Sequence, residues 1–326
     1  MADQLILMDA YSQIFRCFYA IRSLTNAAGE PVNALLPFGR MLLNLEKQYP
    51  GKAGAIVFDC GKVQFRMELR PAYKANRPPT PDALKVQVPP IRELCGLFGW
   101  PILEEPEYEA DDLIAALAKD YAGDVRIISS DKDLAQMIAP RIAMLIPASG
   151  KGAWELRDEA AVLAKFAVKP DQIVDYLSLL GDAADNIPGV PGIGPKGAAQ
   201  LLNQCGSLDN FYAAETPEVT PRIAGLLHEH REILELNRKL ITLRTDLPAR
   251  LQCAAGCCIR KEPDWDAIRQ FCGSHGLFSL LKEIPEEEPD LFSALKPEEP
   301  EKPVKPEKTK KAEPEYEQGD LFADFQ

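Results

Sequence analysis

The sequence lacks the features that would place it in a membrane or secreted class. None of its apolar runs reaches the about 18 residues of a membrane-spanning helix. Its start, Met1-Ala2-Asp3-Gln4, has neither basic residues nor an apolar signal segment. A glycine-rich phosphate loop of the P-loop type is also missing, which argues against nucleotide hydrolysis. We therefore expect a cytoplasmic protein without membrane association.

Paired cysteine spacing is absent as well. The eight cysteines are scattered over 326 residues, and without a secretory signal they do not indicate a disulfide framework. A zinc site is an alternative for one group of thiols together with His275. Ordinary thiols are favoured, because the group has no CxxC pairs. The thiols in question are Cys253, Cys257, Cys258 and Cys272.

The positive charge typical of nucleic-acid binders is missing from the total, since the net charge is −12. Residues 284–326 hold 13 acids and 6 bases, which leaves 36 acids and 31 bases in residues 1–283. Nine of those acids belong to the motifs described below, and without them the body carries 27 acids against 31 bases. Bound cations would neutralise much of the acidic group, so the body need not repel DNA.

Three short apolar runs predict strands buried on both faces of a parallel sheet: Leu5–Met8, Ala55–Phe58 and Val125–Ile128. Helical patterns between them predict a doubly wound α/β domain at residues 1–165. Residues 166–283 read as a helical region. From residue 284 the chain is rich in Pro, Glu and Lys, so residues 284–326 are predicted to form a disordered tail.

An aspartate follows each of these runs at once or within three residues: Asp9, Asp59 and Asp131. Ligands of open α/β sheets bind outside the carboxyl ends of the strands, so the three carboxylates should meet at one edge. Asp133 lies two residues beyond Asp131.

A further acidic group, Glu109-Ala110-Asp111-Asp112, opens a predicted helix, on which Glu109 and Asp112 share a face. Helix capping explains any one of these acids. It does not explain many acids at one edge, because like charges repel unless cations hold them. Oxygen ligands of this kind suit Mg²⁺ or Mn²⁺, and two such ions can promote phosphodiester hydrolysis.

The glycine-rich stretch Gly181–Lys196 predicts a helix–hairpin–helix. Its glycines allow tight turns, and Pro195 suits the first position of the next helix. Free amides at that helix start can hold a phosphate, and Lys196 adds a charge. This pattern indicates sequence-independent DNA binding through Gly192, Gly194 and Lys196.

A basic segment at residues 65–77 carries four basic residues among aromatic ones. Such a segment fits a surface that grips DNA, although a solvated basic face is the commoner interpretation. Its bases are Arg66, Arg70, Lys74 and Arg77.

Taken together, these motifs resemble the 5′-nuclease domain of bacterial DNA polymerase I and, more broadly, flap endonucleases. The resemblance covers about residues 4–245. It implies a PIN-like fold with a helical arch, and metal-dependent 5′→3′ exonuclease and flap endonuclease activity in replication and repair. The printed sequence has no polymerase or proofreading module, so we expect a stand-alone nuclease. The motifs are Asp9 with Phe15–Ala20, Phe58-Asp59, Tyr73–Arg77, Glu109–Asp112, Asp131–Leu134 and Gly181–Lys196.

The resemblance also implies roles for individual residues. Tyr73, Lys74 and Arg77 match the base of the arch, with Lys74 steering the scissile phosphate, and Arg16 matches a DNA contact. The hairpin can hold K⁺ through its backbone carbonyls. The group around the first metal is implied to be Asp9, Asp59, Glu109, Asp111 and Asp112. The group around the second is implied to be Asp131, Asp133, Asp182 and Asp185.

Two other functions remain alternatives. A PIN-type ribonuclease shares an acidic α/β site, but the hairpin and the Tyr73–Arg77 segment argue against it. A DNA-binding adaptor without catalytic activity would have no use for nine acids at one edge.

The C-terminal peptide predicts one partner besides DNA. Gln318, Leu321 and Phe322 form a Gln-x-x-Leu-Phe pattern that resembles sliding-clamp-binding peptides of bacterial replication proteins. In that interpretation the two apolar side chains fill a pocket, and the glutamine binds at its rim. Chance is the alternative, because Asp290-Leu291-Phe292 repeats part of the pattern without the glutamine. We expect the protein itself to be a monomer.

Overall fold

The structure is a computed structural model that describes residues 4–51, 53–61, 63–148, 153–214, 219–251 and 253–285. The chain through Ile284 forms one compact unit. None of the helices in the described ranges is long and apolar enough to cross a membrane.

A six-stranded sheet organises the first half of the chain, in the order β3-β2-β1-β4-β5-β6. All neighbours are parallel except β5 and β6, which are antiparallel. The strands are β1 (Gln4–Asp9), β2 (Ala53–Val57), β3 (Ile102–Leu103), β4 (Asp124–Ile128), β5 (Ile142–Pro147) and β6 (Trp154–Arg157). This mostly parallel sheet with helices confirms the predicted fold class.

Helices cover both faces of the sheet. They are α1 (Ala10–Ala20), α2 (Leu35–Gln48), α3 (Gln64–Leu69), α4 (Asp82–Lys85), α5 (Val88–Leu97), α6 (Ala110–Asp120) and α7 (Glu159–Phe166). Two short helices, α3 and α4, flank the Tyr73–Arg77 segment that matches the base of the arch. A 3₁₀ helix, Asp133–Met137, follows β4.

The side chains of β1 alternate between the two faces of the sheet and show which core lies on each face. Leu5 and Leu7 belong to a core cluster with α6 and the helical second half, whereas Ile6 and Met8 belong to the cluster under α1, α2 and α5. All four side chains are fully buried. A strand buried on both faces has to be apolar throughout, which is why β1 reads as a continuous apolar run.

The second half is helical, as predicted, apart from a small antiparallel pair, β7 (Gly181–Asp182) and β8 (Ile187–Pro188). Its helix α8 packs against both α9 and α12, while α14 and α15 return to pack on α5 and α2. The helices are α8 (Ile173–Leu180), α9 (Pro195–Cys205), α10 (Leu208–Ala213), α11 (Pro221–Glu229), α12 (Arg231–Ile241), α13 (Ala254–Cys257), α14 (Trp265–Ser274) and α15 (Phe278–Leu281).

Candidate metal centre and its surroundings

Asp9 stands where β1 passes into α1, at the carboxyl edge of the sheet. One carboxylate oxygen caps α1 by accepting the Ser12 N–H at 3.1 Å, and the other accepts the Ser129 hydroxyl at 2.9 Å. Burial raises the pKa of Asp9 to about 7, opposed by the Ser12 hydrogen bond and supported by repulsion from Asp59 and Asp131. Ser129 was not among the predicted site residues, although its position directly after β4, next to the acidic edge, could have indicated it.

Asp59 and Asp111 come to the same edge from β2 and α6. Asp59 accepts the backbone N–H of Ala110 at 2.9 Å, which ties the loop after β2 to the start of α6. The pKa of Asp111 lies well above its usual range, first through burial and then through repulsion from Asp131, Asp9 and Asp59. These interactions place Asp9, Asp59, Asp111 and Asp131 in one electrostatic group, so Asp131, implied above for the second metal, also faces the first group.

A second acidic group joins the 3₁₀ helix to the hairpin. Asp133, Asp182 and Asp185 each have a carboxylate oxygen within 4.8 Å of the others, a spacing that suits one cation. Asp131 links the two groups, because it accepts the backbone N–H of Asp133 at 2.9 Å. Burial and the charge of Asp131 raise the pKa of Asp133 to about 8.

The donors in both groups have the chemistry that a divalent, oxygen-preferring cation needs, although among the described residues the spacing for a shared ion is met by Asp133, Asp182 and Asp185 alone. All are carboxylates, and Asp111 Oδ1 is buried without a hydrogen-bond partner among the described residues. A buried polar atom is normally satisfied, so one without a protein partner in an acidic group is the expected trace of a cation ligand.

Basic residues close the site on one side. Lys74 Nζ donates to Glu109 Oε1 at 2.8 Å, and the Tyr73 hydroxyl lies 3.2 Å from both Glu109 and Asp185. Arg77 forms an ion pair with Asp185. Lys74 has a left-handed backbone, with φ 55°, and its N–H donates to the Asp185 carbonyl at 3.0 Å. The Tyr73–Arg77 segment is thereby fastened to both acidic groups.

Two predicted site residues pair with each other. Arg66 is 1% exposed and holds Asp112, itself fully buried, through two hydrogen bonds of 2.5 and 2.7 Å. Asp112 also accepts the backbone N–H of Arg244 at 2.9 Å and that of Glu109 at 3.3 Å. The prediction that Arg66 contacts DNA is wrong, because it is buried. Both Asp112 oxygens already accept these hydrogen bonds, so its membership of the first metal group stays a prediction.

The hairpin presents its tip to solvent. Gly192, Gly194 and Lys196 are exposed, and Gly192 has a left-handed φ of 86°, which favours glycine there. Gly194 caps α9 and Pro195 begins it, so the first amides of α9 face outward. Asn237 on α12 holds the base of the hairpin by donating to the carbonyls of Ser178 and Pro188. This geometry suits the predicted phosphate contact.

The remaining predicted contacts lie at the surface. Arg70 donates from Nε to the Asn186 carbonyl at 3.0 Å, next to the hairpin. Arg16 is exposed and donates to the Pro147 carbonyl at 3.3 Å. Their contact with DNA stays a prediction. The predicted clamp-binding residues Gln318, Leu321 and Phe322 lie outside the described residues.

The thiols named as an alternative zinc site do not form one group. Cys258 belongs to the core cluster on the α6 face of the sheet and Cys272 to the cluster on the other face. The sulfur atoms of Cys257 and Cys258 lie 3.8 Å apart. Among the described residues, the acidic triad is the one set of three or more ligands close enough for a shared ion.

Comparisons with known proteins agree with this geometry. Two family models match: "5′-3′ exonuclease, N-terminal resolvase-like domain" over residues 4–167, and "5′-3′ exonuclease, C-terminal SAM fold" over residues 168–266. A 5′-3′ exonuclease of Aquifex aeolicus is 37% identical over 86% of this chain and 94% of its own length. DNA polymerase I of Pseudomonas aeruginosa is 42% identical over 86% of this chain, which spans 32% of that polymerase. The chain thus spans about a third of the DNA polymerase I relatives that it matches.

Solved structures share the fold. Bacteriophage T5 5′-exonuclease with bound zinc ions superposes with a TM-score of 0.61 at 22% identity, over 86% of this chain and 98% of that chain. The catalytic core of Rad2 in complex with a DNA substrate gives 0.60 at 17% identity, over 87% and 93%. At these identities the likeness establishes the architecture alone.

Proposed function

Because the chain belongs to the 5′-3′ exonuclease family, we propose that it hydrolyses DNA phosphodiester bonds as a 5′→3′ exonuclease and a 5′-flap endonuclease. The observation that carries the proposal is the meeting of carboxylates from the ends of β1, β2 and β4, from α6 and from the hairpin at one sheet edge. One buried Asp111 oxygen there has no donor among the described residues. A protein that only binds DNA, without cutting it, would not need such a group of carboxylates.

Two Mg²⁺ ions, for which Mn²⁺ can substitute, are the cofactors that we propose. Asp133, Asp182 and Asp185 would hold one ion, with the spacing that such a site needs. Asp9, Asp59 and Asp111 would supply ligands to the other, and Asp131, implied above for the second ion, lies between the two groups. When bound, such ions supply an activated water and neutralise the charge that builds up on the phosphate.

Glu109, Tyr73, Lys74 and Arg77 act around these groups. Lys74 is three-quarters buried at its side chain and lies 2.8 Å from Glu109 and 3.9 Å from Asp185, so its charge sits between the two acidic groups. We assign it the positioning of the scissile phosphate, where a fixed cation is most effective. The Arg77 side chain is half exposed, so it can turn toward the DNA strand that carries this phosphate.

The hairpin would hold the duplex without reading its sequence. Exposed amides at the start of α9 and the charge of Lys196 favour a backbone phosphate. Arg16 and Arg70 add surface charge, and K⁺ is proposed to bind the hairpin carbonyls.

The biological setting follows from this activity. We propose primer removal, flap cutting and nick processing in the cytoplasm, by a monomer that docks on the sliding clamp through Gln318, Leu321 and Phe322. DNA polymerase I relatives carry the similar region within a longer chain, and a clamp tether would give this chain a comparable hold on its substrate.

A cleavage assay tests the proposed function. A 5′-labelled DNA flap, the same flap in RNA and a blunt duplex are incubated with the protein, with Mg²⁺ or with chelator. We expect Mg²⁺-dependent cutting of the DNA flap. Preference for single-stranded RNA would favour the PIN-type ribonuclease, and DNA binding without any cutting would favour the adaptor.

A further inference from the structure

A group of basic side chains lies beside Asp131, at the border of the acidic groups. Lys132 comes from the loop after β4, Arg157 from the end of β6 and Lys165 from α7, and all three line one crevice with Ser130 and Asp131. We call Lys132, Arg157 and Lys165 the basic crevice. Three separate elements therefore bring positive charge to one place, and none of these residues was singled out by its sequence motif.

The carboxylates nearby neutralise the basic crevice only in part. Lys132 Nζ lies 3.2 Å from Asp182 Oδ2, and Arg157 Nε lies 3.3 Å from Glu155 Oε1, whose side chain is 55% exposed. Lys165 makes no ion pair with a carboxylate of the described residues, and its Nζ lies 4.9 Å from the Phe166 ring centroid. Arg157 and Lys165 therefore do not serve to balance the metal-binding acids.

The charges of the basic crevice act on one another. The pKa of Lys165 is lowered from its ordinary value, first by partial burial and next by the charge of Arg157; Glu155 opposes this shift and Lys132 adds a smaller lowering contribution. Like charges brought together without enough counter-charge favour an added anion, for the same reason that the acidic groups favour a cation.

We propose that the basic crevice binds an internal phosphodiester of the DNA strand, adjacent to the scissile phosphodiester. The proposal rests on the proposed function. Asp131 borders both the crevice and the acidic groups, so a strand that passes the acidic edge continues over Arg157 and Lys165. The planar guanidinium of Arg157 can bind two phosphate oxygens at once, and the two lysines add point charges.

The test replaces the two residues that do not contact the acids. In the full chain, Arg157→Gln with Lys165→Gln is compared with wild type, and Lys132 is kept because it contacts Asp182. Lys261→Gln is the control of matched chemistry. Its N–H binds the Gly99 carbonyl, before β3 begins, so it lies at the amino edge of the sheet, away from the acids. Arg157→Lys with Lys165→Arg keeps the charge and should restore binding.

Three readouts are measured on 5′-flap DNA, with and without a 5′-terminal phosphate. The Kd in chelator is expected to rise about 3- to 10-fold in the double variant, and the slope of log Kd against log salt to fall by about one. In Mg²⁺, KM should rise while kcat stays within about twofold, because the lost contact binds ground state and transition state alike. An unchanged urea midpoint shows that the variant folds.

The outcomes separate this inference from the function on which it rests. Wild-type protein that neither binds nor cuts the flap overturns both. If the wild type cuts the flap, but the double variant has the same Kd and salt slope as Lys261→Gln, the proposal for the basic crevice is overturned and the proposed function stands. A loss confined to DNA with a 5′-terminal phosphate also overturns it, because an internal phosphodiester is present in both substrates.

Discussion

Asp111 and Asp112 are neighbours at the start of α6, yet their carboxylates face different partners. Asp112 is neutralised by Arg66 and by backbone donors, whereas Asp111 faces three other carboxylates. One residue on a helix turns the side chain by about 100°, which follows from 3.6 residues per turn. That rotation separates an acid that stabilises the fold from an acid that is left for a cation.

The first prediction concerns Asp111→Asn. Losing a ligand from a metal centre that supplies several kcal/mol of transition-state stabilisation should cut turnover by about 10²-fold or more. DNA binding should persist or tighten, since one negative charge near the phosphate is removed. Single-turnover cleavage and anisotropy binding measure the two effects. Asp82→Asn, at an exposed acid on α4, is the control, and near wild-type cleavage by Asp111→Asn would contradict the assigned site.

The second prediction concerns pH in the absence of divalent cations. The folded-state pKa values of Asp9 and Asp133, about 7 and about 8, lie above the about 3.9 of an unfolded aspartate. The folded chain then binds more protons than the unfolded chain, so its free energy of unfolding falls as pH rises from about 4 to about 8. Urea unfolding in chelator at several pH values measures this slope. Added Mg²⁺ should flatten it, and a stability that rises with pH in chelator would refute the prediction.

At the scale of elements, the start of α6 does two jobs. Glu109 and Asp112 form a capping box that satisfies the first amides of α6, and the same turn carries Asp111 into the acidic group. Arg66 ties this turn to α3 and, by donating to the Leu240 carbonyl, to the end of α12. The buried pair therefore joins the sheet domain to the helical half.

The third prediction is that this pair is structurally essential. Arg66→Met leaves the buried Asp112 without its partner, and breaking such a pair should cost about 3–5 kcal/mol of unfolding free energy. Arg66→Met with Asp112→Leu should recover part of the loss, because no charge is then left unpaired. Urea denaturation measures both. The exposed pair Arg231–Glu235 is the control, for which Arg231→Met should cost under about 1 kcal/mol. Equal losses of unfolding free energy at the two sites would contradict the structural role assigned to Arg66.

The fourth prediction separates the Tyr73–Arg77 segment from the hairpin. Lys74→Ala should reduce kcat more than DNA affinity, because Lys74 lies between the acidic groups. Lys196→Ala should weaken duplex binding uniformly across sequences and lower the salt slope by about one, with kcat at saturation retained. Kinetics and anisotropy on the same flap compare them. The same profile in both variants would contradict this division.

The sequence predicted β1, β2 and β4, because strands buried on both faces need continuous apolar runs. It did not predict β3, which has two residues, β6, whose side chains are partly exposed, or β5, although its run Ile142–Pro147 is apolar and largely buried. The strand ends correctly located Asp9, Asp59 and Asp131, since parallel strands share a carboxyl edge. The burial of Arg66 escaped prediction because its partners, Asp112 and Leu240, are distant in sequence. Arg157 and Lys165 come to Asp131 from β6 and α7, a juxtaposition that no local sequence pattern indicates.

At the scale of the whole molecule, the two family models meet between residues 167 and 168, close to the predicted boundary at 165. The described chain nevertheless has cores that cross this point: one cluster joins β1 and α6 to α8, α9 and α12. The other includes α14 and α15 with α2 and α5. Residues beyond 266 thus help to cover the sheet, although they lie past the second family model.

The fifth prediction concerns the C-terminal peptide. A peptide of residues 310–326 should bind the sliding clamp of the same organism, with Leu321 and Phe322 as the apolar anchors. Calorimetric titration measures the affinity, and Leu321→Ala with Phe322→Ala should abolish the signal. A peptide of the same composition in scrambled order is the control. Absence of binding, or binding that survives the double substitution, would remove the clamp from the proposed partners and leave the nuclease proposal intact.

The central place of β1 in the sheet has a consequence for synthesis on the ribosome. β1 pairs with β2 on one side and with β4 on the other, so its last partner ends at Ile128. At about 5–20 residues per second, roughly 6–24 s pass between the emergence of Asp9 and that of Ile128. During that interval Leu5, Ile6, Leu7 and Met8 have no β4 beside them, although β2 has already emerged. The strand that anchors the finished site is therefore among the first to be synthesised and has to wait for a partner more than 100 residues later in the chain.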